Sequence, residues 1–132
     1  MSDPVPDPTP APTRVPTPGT GRTAYAVAYL RDIDLGPALV SYLERIDRSL
    51  EPFGGRFLVH GGELQPIEGL WNGDLVVIEF PSRRAAHEWY ASPDYQDILP
   101  LRLQHTRSMA AIVDGVPPGY TARQGLAILL AG

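Results

Sequence analysis

Two residues near the middle of the chain could make a general base. His60 closes one apolar run (RFLVHG, Arg56 to Gly61) and Glu79 closes another (DLVVIEF, Asp74 to Phe80). If they meet, the carboxylate orients the imidazole and raises its basicity, a pairing suited to proton abstraction near neutral pH. The alternative is a polar pair at the rim of a sheet, or Glu79 serving the backbone near Ser82. Arg102 is the third group of interest. It shares an otherwise apolar face with Tyr95, Ile98 and Leu99, where an always-charged guanidinium calls for an anion. That anion is either a substrate carboxylate or one of Asp94, Asp97 and Asp114 in a structural ion pair. Around these lie aromatic rings suited to lining a flat pocket, of which Tyr29, Tyr42, Trp71, Trp89 and Tyr95 are the candidates for ligand contact, although most such rings pack cores. Ser92, beside Pro93, is best explained as a helix cap, because no nucleophile-elbow or triad spacing surrounds it.

Composition removes several chemistries. The chain has 132 residues and no Cys, so thiolate nucleophiles, disulfide scaffolds and cysteine metal sites are excluded. All 11 basic residues are Arg, which removes Schiff-base lysines and Lys-dependent phosphate loops. The three histidines, His60, His87 and His105, lack metal-ligand spacing, so no metal is expected. A net charge of -4 argues against nucleic acid and anionic membrane as partners. No flavin or nicotinamide fingerprint occurs, and no cofactor is expected. Neither a signal-like segment nor a run long enough to span a bilayer is found, which makes the cytoplasm the expected location.

The elements that must position these residues follow from changes of hydrophobic period. Ala24 to Leu30 (AYAVAYL) reads as a strand buried on both faces. Leu35, Leu39, Tyr42, Leu43, Ile46 and Leu50 recur at steps of three and four, an amphipathic helix with Asp34 as N-cap, Pro37 in its first turn, and Gly54 and Gly55 as its stop. Strands over Arg56 to Gly61 and Asp74 to Phe80 come next. Ser82 then caps a helix from Arg83 to Ala91, and Ser92 and Pro93 restart it with Pro100 bending the new segment. Met109 to Val113 is the fourth strand. The order is strand, helix, strand, strand, helix, strand: an α+β, ferredoxin-like βαββαβ plan, with a four-stranded antiparallel sheet carrying two helices on one face. The other face, with Tyr25, Val27 and Tyr29, stays apolar and invites a homodimer through the sheet.

Seven of the first 18 residues are Pro, so residues 1–22 read as a disordered leader, 23–116 as the folded domain and 117–132 as a tail. The tail's apolar run, Leu126 to Ala131, is expected to pack on the core or on a second subunit.

The string from Phe53 to Gly62 (FGGRFLVHGG), Glu68 and Gly69, Val76 to Ser82 (VVIEFPS) and Trp89 to Tyr95 (WYASPDY) resembles the family catalogued as domain of unknown function 1330. That resemblance implies the dimeric α/β-barrel group, in which two ferredoxin-like subunits pair their sheets. Relatives in that wider group include cofactor-free monooxygenases, lactone isomerases, polyketide cyclases and haem-degrading enzymes. The resemblance therefore implies a pocket for an organic molecule without choosing one. His87, Trp89 and Asn72 could be cast as a haem-degrading set, but the Asn that such enzymes carry on the first strand is missing from AYAVAYL.

Together these readings lead to the expectation of a homodimer that binds a small organic acid or aromatic metabolite. A reaction, where one occurs, would be cofactor-free acid-base chemistry of the isomerase, cyclase or hydrolase type using His60 and Glu79. The alternatives are a non-catalytic module binding a ligand or a protein, and an enzyme of the monooxygenase or haem-degrading type.

Overall fold

The computed structural model describes residues 22–131. The Pro-rich segment expected to be a leader lies, but for Arg22, outside the described residues. The elements are β1 (Ala24–Arg31), α1 (Pro37–Leu50), β2 (Arg56–Val59), β3 (Asp74–Phe80), α2 (Arg83–Ala91), α3 (Pro93–Leu103), β4 (Arg107–Asp114) and α4 (Ala122–Ala131), with a 3-10 turn over Glu51–Phe53. Four strands form one antiparallel sheet in the order β2-β3-β1-β4, so the molecule is of the α+β class. Among the described residues no helix is long and apolar enough to cross a membrane.

The sheet presents two chemically different faces because side chains alternate along each strand. Ala24, Ala26, Phe57, Val76, Ile78, Phe80 and Ile112 meet Leu39, Tyr42, Ile46 and Leu50 of α1, Ala86 and Trp89 of α2, and Tyr95, Ile98 and Leu99 of α3. The opposite face carries Tyr25, Val27, Tyr29, Val77 and Glu79, with Met109 and Val113 exposed. Among the described residues β1 is therefore covered on one face, not on both as its uniform apolarity suggested. Three helices, not two, lie over the sheet, because the second helical segment breaks at Ser92. Ser92 ends α2 in extended backbone and caps α3, its Oγ accepting from Tyr95 N at 3.3 Å and donating to the Trp89 carbonyl at 2.7 Å. Pro100 lies within α3, and the helix continues past it to Leu103.

Local details differ from the sequence reading at three other places. α1 starts at Pro37 with Gly36 as its N-cap. Asp34 is not the cap: its backbone N–H is donated to the His105 carbonyl at 2.8 Å, tying the β1–α1 connection to the end of α3. β2 ends at Val59 because the register shifts between Phe57 and Val59, and Gly61 beyond it has φ of 74°. At the mouth of β3, a Cβ on Gly73 would sit 2.3 Å from the Leu30 carbonyl oxygen, so only glycine lets the β2–β3 loop pass this close to β1.

The tail forms helix α4, which has no buried residue; Leu129 and Leu130 are each 79% exposed. It does not pack on its own core, the first of the two placements expected for it.

Candidate ligand-binding site

A cavity of about 790 Å³ lies between the sheet and the helices, within the range that accommodates small organic ligands. Its existence follows from residue size. On β1 the side chains facing α1 and α3 include Ala26 and Ala28, and Ala28 pairs across to Ala110 of β4. Methyl groups on neighbouring strands leave the space that larger residues would fill. Leu35, Leu39, Tyr42, Leu43 and Ile46 wall the cavity from the α1 side, and Trp89, Tyr90 and Tyr95 from the α2 and α3 side.

Arg102 reaches this cavity from the last turn of α3, only 6% exposed. None of the aspartates expected to neutralise it does so. Asp97 pairs with Arg45 of α1, and Asp114 pairs with Arg83 at 3.6 Å. Among the described residues no carboxylate lies within ion-pair distance of Arg102. The guanidinium meets a neutral hydroxyl, Nη1 donating to Ser108 Oγ at 2.5 Å, while Thr106 Oγ1 donates to the backbone carbonyl of Arg102 at 2.8 Å. Burial works against the charge, yet the neighbouring oxygens of Tyr95 and Tyr42 outweigh it and the guanidinium pKa is raised. The helix C-terminus compensates by about 1–2 kcal/mol. Desolvating an ion costs several kcal/mol. Arg102 is thus a buried guanidinium at a cavity wall with no carboxylate partner among the described residues.

Tyr42 and Tyr95 stand beside it with their hydroxyls 2.7 Å apart, one of the two donating to the other. Tyr95 is 2% exposed, and its ring meets Trp89 at 4.1 Å and Tyr42 edge-on at 6.1 Å. Trp89 is fixed in turn, its Nε1 donating to Ser49 Oγ at 3.0 Å while Ser49 donates to the Ile46 carbonyl. Burial, then the Tyr95 hydroxyl, pushes the Tyr42 phenol far above its ordinary value despite the opposing pull of Arg102, so it stays protonated near neutral pH. Of the two phenolic protons one is used within the pair and the other remains available to an acceptor in the cavity.

The expected His60–Glu79 pair does not assemble. Arg56 stands opposite Glu79 and Phe57 opposite Ile78, so Glu79 is on the open face with Arg56. Glu79 accepts from Arg56 Nε at 2.8 Å and from Tyr25 Oη at 3.3 Å. His60 instead stacks on Phe57, ring centroids 4.4 Å apart, and borders the cavity on the helix side. Of the residues expected to contact a ligand, Arg102, Tyr95, Trp89 and Tyr42 line the cavity. Tyr29 and Trp71 do not. They meet edge-on at 5.8 Å on the open face, where Tyr29 Oη donates to Asn72 Oδ1 at 3.1 Å. His87 borders the cavity, but Asn72 is held by Tyr29, so the residues considered for haem degradation are dispersed. Sequence reasoning missed Ser108 and the alanines of the floor. The alternation of Ala24, Ala26 and Ala28 within AYAVAYL was the available signal for the latter.

The profile of the family described as a domain of unknown function, DUF1330, matches residues 23–116. The chain belongs to that family. The DUF1330 chain is similar in fold to a protein of unknown function from Rhodopseudomonas palustris, at 20% identity and a TM-score of 0.57, over 74% of this chain and 85% of that one. It is also similar to a dimeric ferredoxin-like protein of unknown function from Thermobifida fusca, at 15% identity and a TM-score of 0.51, over 72% and 92% of the two chains. A third, from Jannaschia and likewise described as a dimeric ferredoxin-like protein of unknown function, gives 11% identity and a TM-score of 0.52 over 70% and 99%. No curated protein matches the sequence.

Proposed function

We propose that this DUF1330 protein is a homodimeric, ferredoxin-like βαββαβ protein whose cavity binds a small organic acid, α2 and α3 together serving as the second helix of that plan. One observation carries the ligand class: Arg102 is buried at the cavity wall without a carboxylate partner among the described residues. A ligand carboxylate supplies the missing charge and accepts from the free phenolic proton of the Tyr42–Tyr95 pair. The apolar open face, with Met109 and Val113 exposed, and the dimeric description of two similar folds support pairing through the sheet. Light scattering at micromolar concentration should give a dimer, and a monomer would refute the pairing.

Binding is tested by thermal shift with a panel of carboxylic acids and their neutral amides. At a ligand concentration of a hundred Kd, stabilisation is about 2.7 kcal/mol. Acids should raise the melting temperature, amides should not, and Arg102→Gln should abolish the difference. A panel that leaves the wild type unmoved, or moves the variant equally, refutes the reading.

Cofactor-independent acid-base chemistry is a second reading, supported by His60 at the cavity edge, since imidazole is the side chain that exchanges protons near neutral pH. It rests on His60 without Glu79, whose hydrogen bonds lie on the far side of the sheet. His60→Gln separates the two readings. A catalyst loses turnover with folding intact, whereas a binding module keeps its affinity for the acid.

A further inference from the structure

The cavity's shape and polarity say more about the ligand than its charge. Building on the organic-acid reading, we infer that the ligand is a hydrophobic monocarboxylate, its head held by Arg102 and the Tyr42–Tyr95 hydroxyls and its apolar body lying along the floor of Ala26, Ala28 and Ala110. Three observations converge on this class.

The lining is predominantly apolar, and its polar groups are few. A small polar acid such as a dicarboxylate would leave most of this surface against water and would bring a second charge for which no second guanidinium lines the cavity. Among the described residues Arg102 is the one arginine there, and no Lys exists in the chain. A phosphate monoester carries nearly two charges at neutral pH and several strong acceptors. Beside Arg102 and the phenolic pair the lining offers two imidazoles, His60 and His87, and a repelling carboxylate, Asp74, a set that suits the one charge and two oxygens of a carboxylate better than a dianion.

The second observation is the floor. The facing positions Ala28 and Ala110 pair directly across β1 and β4, and Ala26 is the next residue on the same face. Small residues would close down under α1 were the layers free to collapse. The bulky side chains of Leu39, Tyr42 and Ile46 of α1 line the same cavity as these alanines and Arg102. The third is the guanidinium itself, buried and on the lining of that gap, which sets the polar end of a ligand whose remainder lies against apolar surface.

The experiment is isothermal titration of the full chain with acetate, butanoate, hexanoate, octanoate and decanoate, with 1-octanol and octyl phosphate as head-group controls. Each added methylene should tighten binding about fourfold, the transfer gain of one buried CH₂, until the floor is filled. Octanoate should bind at least tenfold more tightly than either control. Ala28→Leu or Ala110→Leu should flatten the chain-length dependence while short acids still bind, and the wild-type series decides the matter if neither variant folds. Arg102→Met should keep the dependence on chain length and erase the preference for octanoate over 1-octanol. Affinity that needs Arg102 but ignores chain length overturns this inference and leaves the organic-acid reading standing. Equal affinity for octyl phosphate overturns the monocarboxylate head. Failure of every acid to bind overturns both.

Discussion

Replacing Arg102 by Met should not destabilise the ligand-free protein. The guanidinium is 6% exposed and has no carboxylate partner among the described residues, so its desolvation is offset by neutral groups and the Tyr95 and Tyr42 oxygens and by no counter-charge. Met has a similar reach and an apolar end that fits a cavity walled by Leu39, Tyr42 and Ile46. Removing the charge recovers several kcal/mol of desolvation. Against this stand a charged hydrogen bond to Ser108 worth about 1.5–3 kcal/mol and a helix C-terminus worth about 1–2 kcal/mol. Ser108 is left with Thr106 Oγ1 at 3.3 Å, so no hydroxyl is orphaned. These offsets sum to about 2.5–5 kcal/mol and so match the desolvation gain, leaving the variant level with the parent or at most about 1 kcal/mol more stable, a melting temperature unchanged or raised by up to roughly 4–8 °C. Differential scanning calorimetry on ligand-free protein measures it, with urea denaturation as a check. A structural ion pair predicts the reverse, since breaking one typically costs about 3–5 kcal/mol. A fall in melting temperature for Arg102→Met would show that the guanidinium has a partner within the fold, and the anion-site reasoning would go with it.

The contribution of Tyr42 to stability should be level below pH ~10 and decline above it, because its raised pKa makes the folded state hold a proton that the unfolded chain releases near its ordinary value of 10.0. Tyr42→Phe should remove up to about 1.4 kcal/mol per pH unit from that alkaline slope, read by urea titrations at pH 9, 10 and 11; an unchanged slope refutes the assignment. Trp89→Phe should cost about 1–3 kcal/mol, since the buried Ser49 hydroxyl loses the indole N–H, and a change below 0.5 kcal/mol by urea denaturation would contradict it. Glu79→Gln should leave ligand affinity within about twofold in a titration, because its partners Arg56 and Tyr25 lie on the face away from the cavity; a larger loss would return Glu79 to the site.

How far the site could be read in advance turned on whether a residue's role depends on one element or on the pairing of two. Arg102 was legible from its own helix: a guanidinium at the spacing of Tyr95, Ile98 and Leu99 has to be buried, and it is. The His60–Glu79 pair was not, and the reason is parity. In a regular strand Arg56, Leu58 and His60 would share a face, and His60 would stand on the side of Glu79. The register shift between Phe57 and Val59 puts Val59 opposite Val77 on the open face, which carries His60 to the side of Phe57. One extra residue in the ladder separates two groups that regular alternation would unite, and no feature of RFLVHG announces it. The Tyr42–Tyr95 hydroxyl pair is likewise set by the packing of α1 on α3, across 53 residues of sequence. The periods of β1, β3, α1 and α2, by contrast, are local, and Ser82 and Ser92 cap α2 and α3 as their neighbours suggested, whereas Asp34 does not cap α1.

The two features that define the cavity are independently costly to an empty protein. Larger side chains on the floor at Ala26, Ala28 and Ala110 would add buried apolar surface, and a methionine at position 102 would remove an uncompensated charge. Neither change would disturb the caps, the sheet register or the aromatic cluster of Trp89 and Tyr95, because none of these depends on the substituted groups. A chain shaped for stability alone would have no reason to keep both departures, still less to keep them beside one another. Their coincidence at one cavity, apolar floor and cationic end together, is accounted for when a single ligand offsets both costs at once, burying its own apolar body where the alanines leave room and placing its carboxylate where the guanidinium lacks one.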